Sequence, residues 1–197
     1  MKLLKKIYHI LIKRDVVTSL YTRNFKYFGK NSLLYKPKII RKKEDISIGD
    51  NTTILNMIRI QTYNDITGLK AKVIIGNNCF IGYNNSFLAG ENIVIDDGVL
   101  MASNILISSE NHSINPEVNE YYMDQPLICK PVHIGEGTWI GERVCVMPGV
   151  NIGKKCIIGA GSIVTKSIPN YSMAVGSPAK IVKRYNFSTH SWEKVVE

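Results

Sequence analysis

From residue 134 onward an aliphatic side chain stands at every sixth position: Ile134, Ile140, Val146, Ile152, Ile158 and Val164. The next residue is often glycine, as at Gly135, Gly141, Gly153 and Gly159. Four places after each aliphatic comes a small or β-branched residue: Thr138, Val144, Val150, Cys156, Ser162 and Ile168. A period of six matches neither the 3.6 residues of an amphipathic helix nor the two-residue alternation of an ordinary strand. It suits a short strand and a tight corner, three of which close one triangular coil. Residues eighteen apart, such as Ile134 and Ile152, then stack directly.

The pattern recurs in shifted registers at Ile48, Ile54 and Ile60, and at Ile75, Ile81 and Phe87. After a two-residue slip it continues at Ile95, Met101 and Ile107. Between Ile107 and Ile134 it lapses, so a loop must leave the array there. Each buried aliphatic contributes about 1.5–3 kcal/mol relative to exposure. A β-sandwich is the alternative, and six consecutive matches in one register weigh against it.

The 197 residues fit one domain or a repeat array with short additions. Cys79, Cys129, Cys145 and Cys156 form no CxxC pair and no metal spacing. The formal charge of +9 favours anionic partners: nucleic acid, an anionic membrane or a phosphorylated small molecule. No nucleic-acid-binding motif is present, which makes nucleic acid the weakest of these. The N-terminus carries Lys2, Lys5 and Lys6 but no small-residue cleavage site, and Lys13, Arg14 and Asp15 interrupt its apolar run. No signal peptide is expected, and the cytoplasm is the expected compartment.

The repeat together with the segments Ser108 to Pro116 (SSENHSINP), Ile158 to Pro169 (IGAGSIVTKSIP) and Gly176 to Lys180 (GSPAK) resembles the hexapeptide-repeat acetyltransferases. The likeness is strongest to the branch that acetylates sugars and bacterial surface polysaccharides, and it covers roughly residues 46 to 185. It implies an all-β fold, a left-handed parallel β-helix, with a short N-terminal helix and a C-terminal helix or tail. The expected organisation is a helical cap and lead-in over 1–45, a β-helix over 46–170 with a loop at 113–131, and a C-terminal segment over 171–197. The apolar and basic residues of 2–20 suit an amphipathic helix that caps the stack or rests on a membrane.

Of four histidines, His9 and His190 are expected at the surface and His133 at an outward-facing strand end. His112 sits where the coils stop, beside Asn111 and Glu110. The resemblance implies that it is the catalytic base of acetyl transfer from acetyl-CoA, with no metal. Imidazole accepts a hydroxyl proton at neutral pH, and such help gives about 10²–10⁴ in rate. An acidic group or a carbonyl should orient the other ring nitrogen, with Glu110, Asp96 and Asp97 as candidates. Relatives use a backbone N–H from a neighbouring coil for the oxyanion, here near Gly141.

The resemblance further places coenzyme A against Gly141, Glu142, Ala160, Gly161, Thr165, Lys166, Lys180 and Lys183. Asn84, Asn111 and Glu110 are expected at the acceptor, although Tyr83-Asn84-Asn85-Ser86 is also good turn chemistry. The segment from Ser113 to Pro131, with Tyr121, Tyr122, Met123, Asp124 and Gln125, is long enough to wall off an acceptor site. A homotrimer is implied, because one prism cannot surround a long cofactor alone. The first-choice acceptor is a hydroxyl of a surface polysaccharide sugar or its precursor. The amine of a nucleotide-linked amino sugar is second and an antibiotic hydroxyl third. A histidine-ligated metalloenzyme or a non-enzymatic scaffold on the same coils are the rivals from other classes.

Overall fold

The computed structural model describes residues 19–195. Its short strands form three faces of a prism, in sheets of six, nine and six strands. Face I runs through Ile46–Ile48, Val73–Ile75, Ile93–Ile95, Val132–Ile134 and Asn151–Ile152. Face II carries Thr53–Ile54, Phe80–Ile81, Leu100–Met101, Trp139–Ile140 and Ile157–Ile158. Face III carries Arg59–Thr62, Ser86–Ala89, Leu106–Ser108, Cys145–Val146 and Ile163–Val164. The chain visits the faces in that order and rises one coil per circuit. This is the parallel β-helix that the period predicts.

The predicted stacking is the observed register: Ile134 lies beside Ile152, Ile140 beside Ile158 and Val146 beside Val164. The six-spaced aliphatics line the prism interior and are fully buried, as are the small residues Thr138, Cys156 and Ser162. The polar ones among these are satisfied across the corner. Thr138 Oγ1 donates to the Gly153 carbonyl at 2.8 Å and accepts the Cys156 N–H at 3.0 Å. Glycine is required where corners stack most closely. A Cβ at Gly135 would lie 2.6 Å from the Gly153 carbonyl carbon.

The array begins one coil before the expected boundary at 46. Tyr27–Phe28, Leu33–Leu34 and Ile39–Ile40 pair with the strands that start at Ile46, Thr53 and Arg59. Phe28, Leu34 and Ile40 keep the six-residue spacing, and among the described residues their strands find ladder partners on the next coil. The N-terminal helix expected over 2–20 lies outside the described residues, apart from the start of a helical turn at Ser19–Thr22.

After Pro178, where a short helix or tail was expected, the helix does not form. Ala179–Asn186 turns back antiparallel to Ser172–Gly176, and Ser191–Lys194 follows. The last strand of face II would otherwise leave its edge unpaired. Tyr185 packs edge-on against Phe187 and Trp192, and Tyr171 against Phe187.

Two segments leave the prism at the corner between faces III and I. One contains the helical turn Asn64–Thr67, closed by Gly68 at φ 69°. The other is the expected loop, which contains a hairpin of Glu110–His112 and Leu127–Cys129.

Candidate active site

His112 ends the first hairpin strand, opposite Leu127. Its Nδ1 lies 3.0 Å from the main-chain oxygen of Tyr122. A carbonyl oxygen only accepts, so in the neutral ring Nδ1 carries the proton and Nε2 presents its lone pair. The loop that supplies this carbonyl is held from within. The amide of buried Gln125 donates to the Asn115 and Glu120 carbonyls at 3.0 and 3.1 Å, and its oxygen accepts the Asn115 N–H at 3.2 Å. Gln125 thereby fixes the loop, the loop fixes Tyr122, and Tyr122 fixes the imidazole.

His112 opens on a cleft of about 210 Å³ walled by Glu110, Met123, Gln125 and Leu127, and closed by Tyr63 and Ile66 from the other excursion. Met123 and Gln125 belong to the expected acceptor wall. Tyr63 and Ile66 were not anticipated. Their signal is the second break in the six-residue period, between Ile60 and Ile75.

None of the three acidic candidates orients His112. Asp96 Oδ2 accepts from His133 Nε2 at 2.9 Å, and His133 Nδ1 lies 3.1 Å from Asn151 Oδ1. Asp97 accepts the backbone N–H and side-chain amide of Asn77 at 2.7 and 3.0 Å, which holds its carboxyl below the usual range. The Glu110 carboxylate makes no hydrogen bond to His112 among the described residues, and its Oε1 lies 3.5 Å from the Ser108 hydroxyl. The carbonyl alternative is the one realised. Glu110 instead faces Cys129, whose thiol is pushed up by burial and then by the charges of Glu110 and Glu91. Asn111 is exposed on the same strand.

Asn84 stands at the opposite edge of face III, with φ 53°, so the turn reading of this residue is realised. Its Nδ2 donates to Asn104 Oδ1 at 2.9 Å, and Asn104 Nδ2 donates to Glu142 Oε1 at 2.7 Å. Glu142 also accepts the Ser103 N–H, so its side chain struts this corner. The four-residue strand Ser86–Ala89 separates Asn84 from the His112 edge by roughly 13 Å.

Gly141, Glu142, Ala160 and Gly161 gather at the same corner as Asn84. A Cβ on Gly141 would meet Ala160 N at 2.6 Å, whereas one on Gly161 would meet nothing within 4 Å. Gly161 therefore borders open space and owes its identity to its φ of 72°. The Gly141 N–H is spent in the ladder on the Ile158 carbonyl, at 2.8 Å. It is unavailable to an oxyanion. Thr165 and Lys166 are exposed at the His112 edge, two coils further along. Lys180 pairs with Val175, which packs on Gly159, and half-buried Lys183 lies beside Met173. One protomer thus divides the expected site between two edges of face III and the end of face II.

The family model for the hexapeptide repeat of succinyl-transferase matches residues 72–108 and 131–166. A protein of Escherichia coli K12, whose name assigns it to lipopolysaccharide biosynthesis as O-acetyl transferase WbbJ, is 29% identical over 94% of this chain and 92% of its own length. The crystal structure of a maltose O-acetyltransferase from Clostridium difficile 630 is 30% identical, covers 82% of this chain and 71% of its own, and has a TM-score of 0.59. The N-acyltransferase AntD from Bacillus cereus, in complex with dTDP and coenzyme A, shares the fold at a TM-score of 0.74. Its identity is 22%, over 89% of this chain and 94% of that one. The chain spans little more than half the length of the first curated relatives it matches.

Proposed function

The chain belongs to the hexapeptide-repeat acetyltransferase family, and from that premise we propose that it moves an acetyl group from acetyl-CoA to a sugar hydroxyl of a bacterial surface polysaccharide or its precursor. The observation that carries the reading is the state of His112: Nδ1 is committed to the Tyr122 carbonyl, and Nε2 is left with its lone pair beside a cleft. The acceptor hydroxyl gives its proton to Nε2 as its oxygen bonds to the thioester carbonyl carbon. The carbon–sulfur bond then breaks, and the departing thiolate takes the proton back from Nε2. Through this cycle the Tyr122 carbonyl stabilises the imidazolium and prevents the ring from turning.

The oxyanion of the tetrahedral intermediate needs a donor. We assign the Glu142 N–H, which has no acceptor among the described residues and follows the spent amide of Gly141. Coenzyme A lies along the corner of Gly141, Ala160 and Gly161, and Lys166, Lys180 and Lys183 face its phosphates.

The division of these residues between opposite edges supports a homotrimer with sites between copies. A second copy brings its Asn84 and Glu142 edge against the His112 edge of the first. The outward stack of Phe80, Leu100 and Trp139 on face II, each more than a third exposed, supplies an apolar contact surface. The basic N-terminal segment is the part proposed to touch an anionic membrane, checked by vesicle co-sedimentation.

The test is thiol release from acetyl-CoA across a panel of sugar acceptors, with wild type and His112→Ala side by side. At least a hundredfold lower turnover with an unchanged melting curve is expected. Near-normal turnover by the folded variant rejects the assignment.

A further inference from the structure

The Asn64–Thr67 turn is the wall between two clefts. Tyr63 and Ile66 face both the His112 cleft and a larger one of about 340 Å³, which also includes Arg41, Lys42, Gln61 and Thr62. The second cleft sets the donors Arg41 and Gln61 beside apolar Ile66 and the Asp65 carboxylate. Lys42 is paired with Asp65 at 3.0 Å, which neutralises the carboxylate that faces the cleft. Asp45, below it, accepts from Thr62 Oγ1 and Asn64 Nδ2. The Arg41 guanidinium is exposed, and no carboxylate pairs with it among the described residues. Gln61 is 5% exposed. Its oxygen accepts from Arg59 Nε, so its amide nitrogen carries two N–H groups that have no acceptor among the described residues.

An exposed guanidinium fork beside an amide nitrogen that solvent reaches suits a phosphate oxyanion. The ladder sets the reach. Ile40 pairs with Ile60, Gln61 with Leu88, and Leu88 with Ser108, so Arg41 lies three coils below the start of the His112 hairpin. At about 4.8 Å per coil the axial separation is roughly 14 Å, which suits a short glycosyl phosphate. We propose that this second cleft is a phosphate subsite for the acceptor. The acceptor is then a sugar joined through phosphate to a nucleoside or lipid carrier, with its hydroxyl at His112 and its phosphate on Arg41 and Gln61. The role of the sugar rests on the acyltransferase reading of His112, whereas the phosphate contact stands on the cleft alone.

The experiment is calorimetric titration of the full chain with inorganic pyrophosphate, in saturating coenzyme A so that the donor's own phosphate contacts are filled. Saturable binding is expected, weakened roughly tenfold by Arg41→Ala and less by Arg41→Lys. Arg41 is exposed, and a melting curve verifies that the variants fold. Competition then separates the carriers. Displacement of pyrophosphate by a uridine diphosphate sugar indicates a nucleotide carrier, and displacement by an undecaprenyl diphosphate sugar in detergent a lipid carrier. No binding with coenzyme A present, binding that Arg41→Ala leaves unchanged, or displacement by neither sugar overturns the proposal. If the acyltransferase reading alone fails, thiol release is absent with every acceptor while Arg41-dependent pyrophosphate binding persists.

Discussion

His112 Nδ1 meets the main-chain oxygen of Tyr122 at 3.0 Å, across the two arms of one excursion from the coil. Because the partner is backbone, the Tyr122 side chain, 57% exposed, is dispensable to the contact. Tyr122→Ala should leave turnover within about threefold of wild type. Replacement of residues 114–124 by a short glycine linker should abolish turnover while coenzyme A affinity survives. Steady-state rates and coenzyme A titration on both variants check this. A large loss in Tyr122→Ala with no change in coenzyme A affinity would mean that the ring itself is needed.

Gln125 offers a separate handle on the same geometry. Gln125→Leu keeps the volume but deletes the bonds to Asn115 and Glu120. Turnover should fall about tenfold, with the Michaelis constant for acetyl-CoA unchanged, since a misplaced catalytic group costs rate rather than donor affinity. A rise in that constant with unchanged turnover would place the loop at the donor.

Neighbouring residues on one strand should respond in opposite ways. Ile140 is fully buried, and Ile140→Ala should cost about 2–5 kcal/mol in a denaturant titration. Trp139 points outward at 48% exposure, so Trp139→Lys should barely alter protomer stability but should break the assembly. Sedimentation equilibrium reads the second effect. A monomeric, active wild type would reject the trimer.

The basic residues near the end of the array should act on binding. Lys166→Ala, Lys180→Ala and Lys183→Ala should each raise the Michaelis constant for acetyl-CoA more than they lower turnover, because the contact we propose is remote from the thioester. With a short acetyl thioester that lacks the nucleotide, the disadvantage should vanish. Equal impairment on both donors would move these lysines off the cofactor.

Asp97 makes stability depend on acid. Side-chain and then backbone hydrogen bonds from Asn77 lower its folded-state pKa. The contribution is therefore present above the unfolded value, about 3.9, and is lost as pH falls through the lower folded value. Asp97→Ala should melt below wild type at neutral pH, and the gap should narrow under acid. Thermal scans across that range decide it, and a constant gap would mean that the carboxylate's charge is not what stabilises.

Much of the protein is legible in one dimension. A period of six prescribes a coil of three short strands, since only at that spacing do Ile134, Ile152 and their neighbours stack into a continuous apolar column. The lapse after Ile107 marks where the chain leaves that column, and His112 at its start is the base we propose. The first coil was as legible in Phe28, Leu34 and Ile40, yet three matches next to an irregular lead-in are a weak signal. What no periodicity carries is the pairing of side chains brought from different coils. Asp96 and His112 are both near the lapse in sequence, but the ladder sets Val94 beside His133, and Asp96 bonds that histidine instead. The partner of His112 is a carbonyl, which every residue possesses and no residue type advertises. The Asn64–Thr67 wall of its cleft comes from a break two coils away. The repeat alone determined the column, because burial of apolar side chains is periodic. Tertiary structure decided the site, because it is built from groups whose only relation is their position in space.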